Sequence, residues 1–324
     1  MSTDHSWSSK LHPEVTARRE ELIELRRSFH KYPELSWHET ETARRITAWL
    51  QSQGISNITP LAGTGVVALI QGGQPGPTIM YRADIDALPI TEAPLVDYAS
   101  VNAGVMHACG HDGHTAIALM LAALFQQRRG QLRGNLKVVF QPAEEGGSGG
   151  AKTLIAEGVM DAPQVDRVLG LHILAELPAG VLGVAPGATM AATDNFELKV
   201  IGKGGHAAYP HRVVDPIVTA AQLVSSLQTV VSRSVDPMKA AVVTVGTIHG
   251  GTQRNIVPDS VEMTGTIRGY DLAVMEQIPQ RIETLARGIT EAMGATFEFQ
   301  HHPDNPPVIN DADFTAQVQR HAAS

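Results

Sequence analysis

Three histidines, one aspartate and the only cysteine of the chain crowd into His107-Ala108-Cys109-Gly110-His111-Asp112-Gly113-His114. Soft and borderline donors packed this closely, on a backbone hinged by glycine, point to a metal site. A second stretch, Gln141-Pro142-Ala143-Glu144-Glu145-Gly146, carries adjacent carboxylates. Neighbouring side chains do not easily share one task, so one can hold a metal while the other faces the cavity as a base. A carboxylate so placed can take the proton of a water acidified by a metal. Cys109, His111, Glu145 and His172 offer enough donors to begin such a site, and two metals sharing a bridging ligand would extend it. Taken alone, either stretch also reads as a solvated loop or an acidic turn.

The elements around these residues favour the metal reading. Thr78–Ala83 is a short apolar strand ending in Asp84-Ile85-Asp86. The histidine stretch follows, with a helix-forming run from Thr115 to Phe125. Leu136–Phe140 is a strand ending at the glutamate pair, and the Gly-rich turn Gly146–Gly150 leads to a helix over Ala151–Glu157. Arg167–Leu171 is a strand ending in His172. Strands alternating with helices predict βαβ units and a mainly parallel sheet, an α/β fold whose ligands bind beyond the carboxyl ends of the strands. Asp84, Asp86, Glu144, Glu145 and His172 would converge on that one edge. Before them, residues 1–12 read as a disordered leader, Glu14–Phe29 and Thr40–Gln53 as helices, and Val66–Gln71 as a strand.

Composition excludes several classes. The chain has 324 residues, 43% hydrophobic and 18% charged, as an ordinary globular protein does. With 33 acidic against 25 basic residues the net charge is −8, which argues against nucleic acid as a partner. No apolar run reaches membrane-spanning length, and the polar N-terminus lacks a signal-peptide core. A single cysteine excludes an internal disulfide framework and fits a reducing compartment, so the expected location is the cytoplasm.

Around Thr193 the pattern changes. Asn195–Ile201 alternates as a strand, and Gly202–His211 is a turn-rich loop containing His206. Asp215 caps a helix over Pro216–Val231. Ala241–Ile248 and Ser260–Arg268 are strands flanking a loop that contains Asn255, followed by a helix over Leu272–Met293 and a strand over Thr296–Gln300. The order β-α-β-β-α-β predicts a ferredoxin-like α+β domain. The expected division is residues 1–189 for the first part of a metal-binding domain, 190–302 for an inserted domain, and 303–324 for the start of a return to the first.

The stretches RADIDALPI, MHACGHDGHTA, QPAEEGGSGGAK, GLHI, GKGGHAAYPH, VDPI and NIVPDSVEMTGTIR occur in that order. Together they resemble the M20 metallopeptidase family, in its branch of N-acyl-amino-acid amidohydrolases, hippurate hydrolases and auxin-conjugate hydrolases. The resemblance runs from about His30 to Asp311. It implies two divalent ions, with Cys109, His111, Glu145 and His172 as ligands and Cys109 the candidate bridge. It makes Glu144 the general base and Asp84 the acid supporting the metals from behind, with Asp86 a weaker candidate for that role. His206 would stabilise the oxyanion in a partner subunit's site, and Asn255 and Arg268 would bind substrate. His107 and His114 are left in supporting or structural roles. The donor set admits Zn, Mn, Co or Ni. The implied partners are a small N-acyl amino acid and a second copy of the chain, through the inserted domain.

The implied reaction is hydrolysis of the amide of an N-acyl amino acid, acetyl or hippurate-like. One alternative keeps the enzyme and makes Cys109 a thiolate nucleophile with a histidine base. Another is a non-catalytic or inactive paralogue that binds metal or an acyl-amino acid without turnover. Its motive is a departure from the pattern: family members continue into a Gly-x-Glu-Asp-Phe-like motif and a final ligand histidine, and His321 has none of that context. The chain is therefore expected to be truncated, with an incomplete catalytic domain.

Overall fold

The computed structural model describes residues 12–93, 96–145 and 149–323. Most of the expected leader and residues 146–148 of the Gly-rich turn lie outside the described residues. The chain forms two units, Met1–Val181 and Leu182–Ser324.

The first unit contains α1 (Pro13–Ala17), α2 (Arg19–His30), α3 (Thr40–Ser52), β1 (Ile58–Leu61), β2 (Gly65–Gln71), β3 (Gln74–Asp84), α4 (His111–Gln127), β4 (Arg133–Gln141), α5 (Gly150–Ala156) and β5 (Arg167–Gly170). The single helix expected over Glu14–Phe29 is broken at Arg18, whose backbone (φ −105°, ψ 14°) leaves the helical region. The five strands pair in the order β1-β2-β4-β3-β5. Strands β3, β4 and β5 are parallel, whereas β2 runs antiparallel to both β1 and β4. The sheet is thus mixed rather than mainly parallel, because the tight turn between β2 and β3 leaves no room for a crossover helix.

The three parallel strands carry the chemistry, and their register aligns their ends. Asp84 lies opposite Gln141, and Arg82 opposite Gly170. Alternate strand residues serve two cores. Val138 and Phe140 pack with Phe29, Ile46, Leu50 and Leu119 on the face covered by α2, α3 and α4. Val67, Met80 and Val139 pack with Leu154, Val159 and Val165 on the other face. Helix α4 is buried through most of its length, which suits its Ala- and Leu-rich sequence and seats its first turn firmly against β3.

The second unit contains β6 (Gly187–Met190), β7 (Ala192–Ile201), β8 (Gly205–His206), α6 (Pro216–Ser234), β9 (Ala241–His249), β10 (Ile256–Val257), β11 (Ser260–Gly269), α7 (Leu272–Ala292), β12 (Thr296–Asn305), β13 (Val308–Asn310) and α8 (Ala312–Ala323). Its antiparallel sheet β12-β7-β11-β9, with α6 and α7 packed against it, is the expected ferredoxin-like arrangement. Phe196, Leu198 and Val200 alternate inward to meet Leu223, Leu227, Ile278 and Ile282. The Asp215 carboxylate accepts the Ile217 and Val218 amides, with Pro216 opening the helix, as the sequence predicts. Residues beyond 303 pair within this unit, β13 lying antiparallel to β6. Among the described residues no helix is long and apolar enough to cross a membrane.

Candidate metal centre

Three turns at the end of the parallel strands bring the chemistry together. Gly110 takes a left-handed conformation (φ 87°) that a side chain would resist, and this starts α4 with His111 at its first position. His111 Nδ1 then lies 2.9 Å from the Asp86 carbonyl oxygen, to which it donates, so Nε2 faces the cavity. His172, just beyond β5, is oriented in the same way. Its Nδ1 donates to the Ile173 carbonyl at 2.7 Å, and its Nε2 lies 3.4 Å from Cys109 Sγ. Each histidine is thus held by one ring nitrogen while the other is offered to the cluster, as metal-binding histidines require.

Ligand atoms of Cys109, His111 and His172 lie within 4.8 Å of one another, as do those of His111, Glu144 and Glu145. His111 Nε2 is 3.8 Å from Glu145 Oε1 and 3.9 Å from Glu144 Oε2. Both His111 Nε2 and Glu145 Oε1 are buried without a hydrogen-bond partner. Leaving such groups unpaired costs about 1–3 kcal/mol each, which a cation between them removes. Thiol, imidazole and carboxylate donors at these separations fit a divalent ion such as Zn, Mn, Co or Ni. Glu144 is the exposed member of the glutamate pair and Glu145 the more enclosed one.

Asp84 sits behind the cluster, 1% exposed. Its carboxylate accepts from His114 Nδ1 at 2.6 Å and Arg82 Nη1 at 2.6 Å, and lies 3.7 Å from His111 Nε2. The Asp86 carboxylate accepts from the Ser36 hydroxyl at 2.7 Å and the Glu145 amide at 3.0 Å. His114 has no nitrogen left for a metal, because its Nε2 accepts the Ile173 amide at 2.9 Å. His107 is buried 5% exposed, and burial pushes it down to about 4.

The enclosed charges shift one another. Burial works to raise Asp84, but the His114 hydrogen bond and the Arg82 charge overcome it and hold the carboxyl well below its usual range. Burial would lower His111, yet the Asp86 hydrogen bond and the Asp84 charge carry it up to about 9. Burial and the neighbouring Glu145 charge raise Glu144 above the ordinary carboxylate value. Burial and Glu145 push the Cys109 thiol up to about 12. A metal-free thiolate nucleophile at Cys109 is therefore disfavoured, since nucleophilic cysteines need a depressed pKa.

In the second unit His206, Asn255 and Arg268 are all exposed. His206 and Asn255 lie together. His206 pairs with Ile256 across β8 and β10, and the Asn255 carbonyl accepts the Ala207 amide. Arg268 lies towards the other end of β11, where it donates to Thr193 Oγ1. The distance from Ser260 to Arg268 is about 27 Å at the usual strand rise. One substrate can touch all three only if they come from different copies of the chain or if a long segment moves.

Several supporting residues carried no sequence signal. The sequence alone assigns no role to Ser36, Glu39 or Arg82. Their roles come from partners far along the chain. The His30–Asp112 pair, 2.8 Å apart with Glu92 3.1 Å from the other ring nitrogen, is of the same kind.

Residues 80–324 match the sequence pattern of Peptidase family M20/M25/M40. An N-acyl-L-amino acid amidohydrolase of Geobacillus stearothermophilus is 45% identical over 290 residues, covering 90% of this chain and 78% of that protein. An N-acetylcysteine deacetylase of Bacillus subtilis is 43% identical over 303 residues, covering 93% of this chain and 79% of its own length. Among solved structures, the Bacillus subtilis YXEP protein, a dinuclear metal-binding peptidase from the M20 family, superposes with a TM-score of 0.82 at 39% identity, over 95% of this chain and 80% of that one.

Proposed function

The chain belongs to Peptidase family M20/M25/M40 and is an enzyme of that metallo-amidohydrolase and peptidase family, and from this premise we propose that it hydrolyses the amide bond of N-acyl amino acids, N-acetyl or hippurate-like, with two divalent ions. The observation that carries the reading is the pair of unpartnered buried atoms, His111 Nε2 and Glu145 Oε1, 3.8 Å apart beside an accessible Glu144. Cys109, His111, Glu145 and His172 would hold the ions. Asp84 supports the cluster from behind. When bound, the ions supply Lewis acidity that acidifies a water and polarises the scissile carbonyl.

Glu144 takes a proton from the attacking water. A carbon–oxygen bond forms, the carbon–nitrogen bond breaks, and Glu144 returns the proton to the departing amine. His206, from a partner copy, donates to the carbonyl oxygen as it becomes negative. Asn255 and Arg268 receive the free carboxylate of the amino acid. Their separation within one protomer is the reason to assign His206 and Asn255 to one copy and Arg268 to the other, and so to propose a homodimer. In functional terms residues 1–189 are the catalytic part, 190–302 the inserted dimerisation part, and 303–324 the segment leading back. The place of action we propose is the cytoplasm.

The test is hydrolysis of benzoylglycine and a panel of acetyl-amino acids by chain stripped with chelator and reloaded with Zn, Mn, Co or Ni. Activity lost on stripping and regained with one of these ions supports the reading. Folded, metal-loaded chain that turns over none of the panel would replace it with a binding protein.

A further inference from the structure

We propose that Glu39 is the positioning residue that aims the Glu144–Glu145 pair. Glu39 is fully buried at 0% exposed, though it sits at the start of α3 where a glutamate would ordinarily face solvent. Its two oxygens are both used. Oε1 accepts the Ala143 amide at 2.8 Å, and Oε2 accepts the Thr64 hydroxyl at 2.6 Å. Thr64 belongs to the β1–β2 turn, so one carboxylate ties that turn to the residue immediately before Glu144.

Ala143 is the residue that needs holding. Its φ is +49°, a left-handed conformation that non-glycine residues seldom adopt and keep only when their surroundings over-determine it. The bend re-aims the chain as it leaves β4, so that the next two side chains turn into the cluster. The Ala143 carbonyl accepts the Gly150 amide at 3.3 Å, and a Cβ on Gly150 would fall 1.8 Å from the Pro142 oxygen, so Gly150 packs directly against the bend at Ala143. Glu39 holds that bend from its amide side. Ser36, in the same loop as Glu39, donates to Asp86, whose carboxylate in turn accepts the Glu145 amide. The segment between α2 and α3 thus restrains the backbone on both sides of Glu144 without touching a reacting atom.

This inference rests on the reading of Glu144 as base and Glu145 as ligand. Its test is arranged so that the two can fail separately. Glu39→Gln keeps an acceptor for the Ala143 amide and a donor for the Thr64 oxygen. Glu39→Ala removes both, and Glu39→Asp keeps the charge but draws it back by one methylene. Hydrogen exchange of the 142–145 segment in metal-free protein is the first readout. Protection should fall at least tenfold in Glu39→Ala and Glu39→Asp and return in Glu39→Gln. In metal-loaded enzyme, kcat should fall at least tenfold with KM changed less than threefold, again restored by Gln. If Glu39→Ala does not fold, Glu39→Asp carries both measurements. Wild-type exchange in the segment with Asp at position 39, or a Gln variant as impaired as Ala, would overturn the proposal whatever substrate the enzyme takes. An inactive wild type with the expected exchange pattern would overturn only the assignment of function.

Discussion

Nδ1 of His114 donates to Oδ1 of Asp84 at 2.6 Å, and the same ring accepts the Ile173 amide at Nε2, 2.9 Å away. His114 therefore links the end of β3 to the residue after His172, and it does so with no nitrogen to spare. Its neighbour His111 offers a free Nε2 to the cavity. Two histidines three positions apart on α4 are thereby given different tasks by their partners.

From that difference, His114→Ala should lower the unfolding free energy by about 2–4 kcal/mol, since it strands a buried carboxylate oxygen and a backbone amide. It should still bind the wild-type number of divalent ions. His111→Ala should lose bound metal instead. Denaturant unfolding and metal analysis of both variants check this, and loss of an ion from His114→Ala alone would refute it.

Glu144→Gln should keep its metal and its fold while kcat falls by about 10²–10⁴, the usual worth of a general base. Glutamine matches the shape but cannot accept and return the proton. A Gln variant within a few fold of wild type would remove Glu144 from the reaction.

Lys137, in the middle of β4, is 3% exposed and donates from Nζ to the carbonyls of Val159, Asp161 and Pro163 at 2.8, 2.7 and 3.0 Å. It acts as a cap for the loop between α5 and β5. Lys137→Met fills similar volume but leaves these carbonyls without their donor, and should cost about 3 kcal/mol or more. Urea unfolding measures it, and a loss under about 1 kcal/mol would show that water replaces the ammonium.

The His30 cluster gives a pH dependence with a definite sign. The Asp112 hydrogen bond raises His30 above its ordinary value of about 6.5. That stabilisation is complete below the unfolded value and lost as pH rises through the folded one. Asp112 and Glu92 shift the other way. For Asp112, burial is outweighed by the His30 hydrogen bond and nearby positive charge; for Glu92 the Ser100 amide is the main cause. Their contribution is present above about pH 4 and lost as pH falls through their lowered values. His30→Gln should therefore flatten the decline in stability as pH rises above about 6.5. Parallel urea titrations of the two proteins across that range, in one metal state, provide the measurement; equal slopes would count against the cluster.

Much of the site was legible in the sequence because it depends on local order. An apolar strand followed at once by Asp84, by Glu144-Glu145 or by His172 can be read from a few residues, and parallel strands carry such endings to one edge. The Asp215-Pro216 helix start and the β-α-β-β-α-β order are local in the same sense. The direction of β2 was not legible, since side-chain alternation is the same in either direction and only pairing with β4 decides it. Nor was the break at Arg18, where the helical period continues across the interruption. The roles of Ser36, Glu39 and His30 were furthest from reach. Glu39 meets Ala143 from 104 positions away, and His30 meets Asp112 from 82. Residue types and near neighbours state which groups can do chemistry. Which ring nitrogen stays free, and which carboxylate is spent on holding a backbone amide, is decided only when packing brings distant segments together and every buried polar group must find its partner.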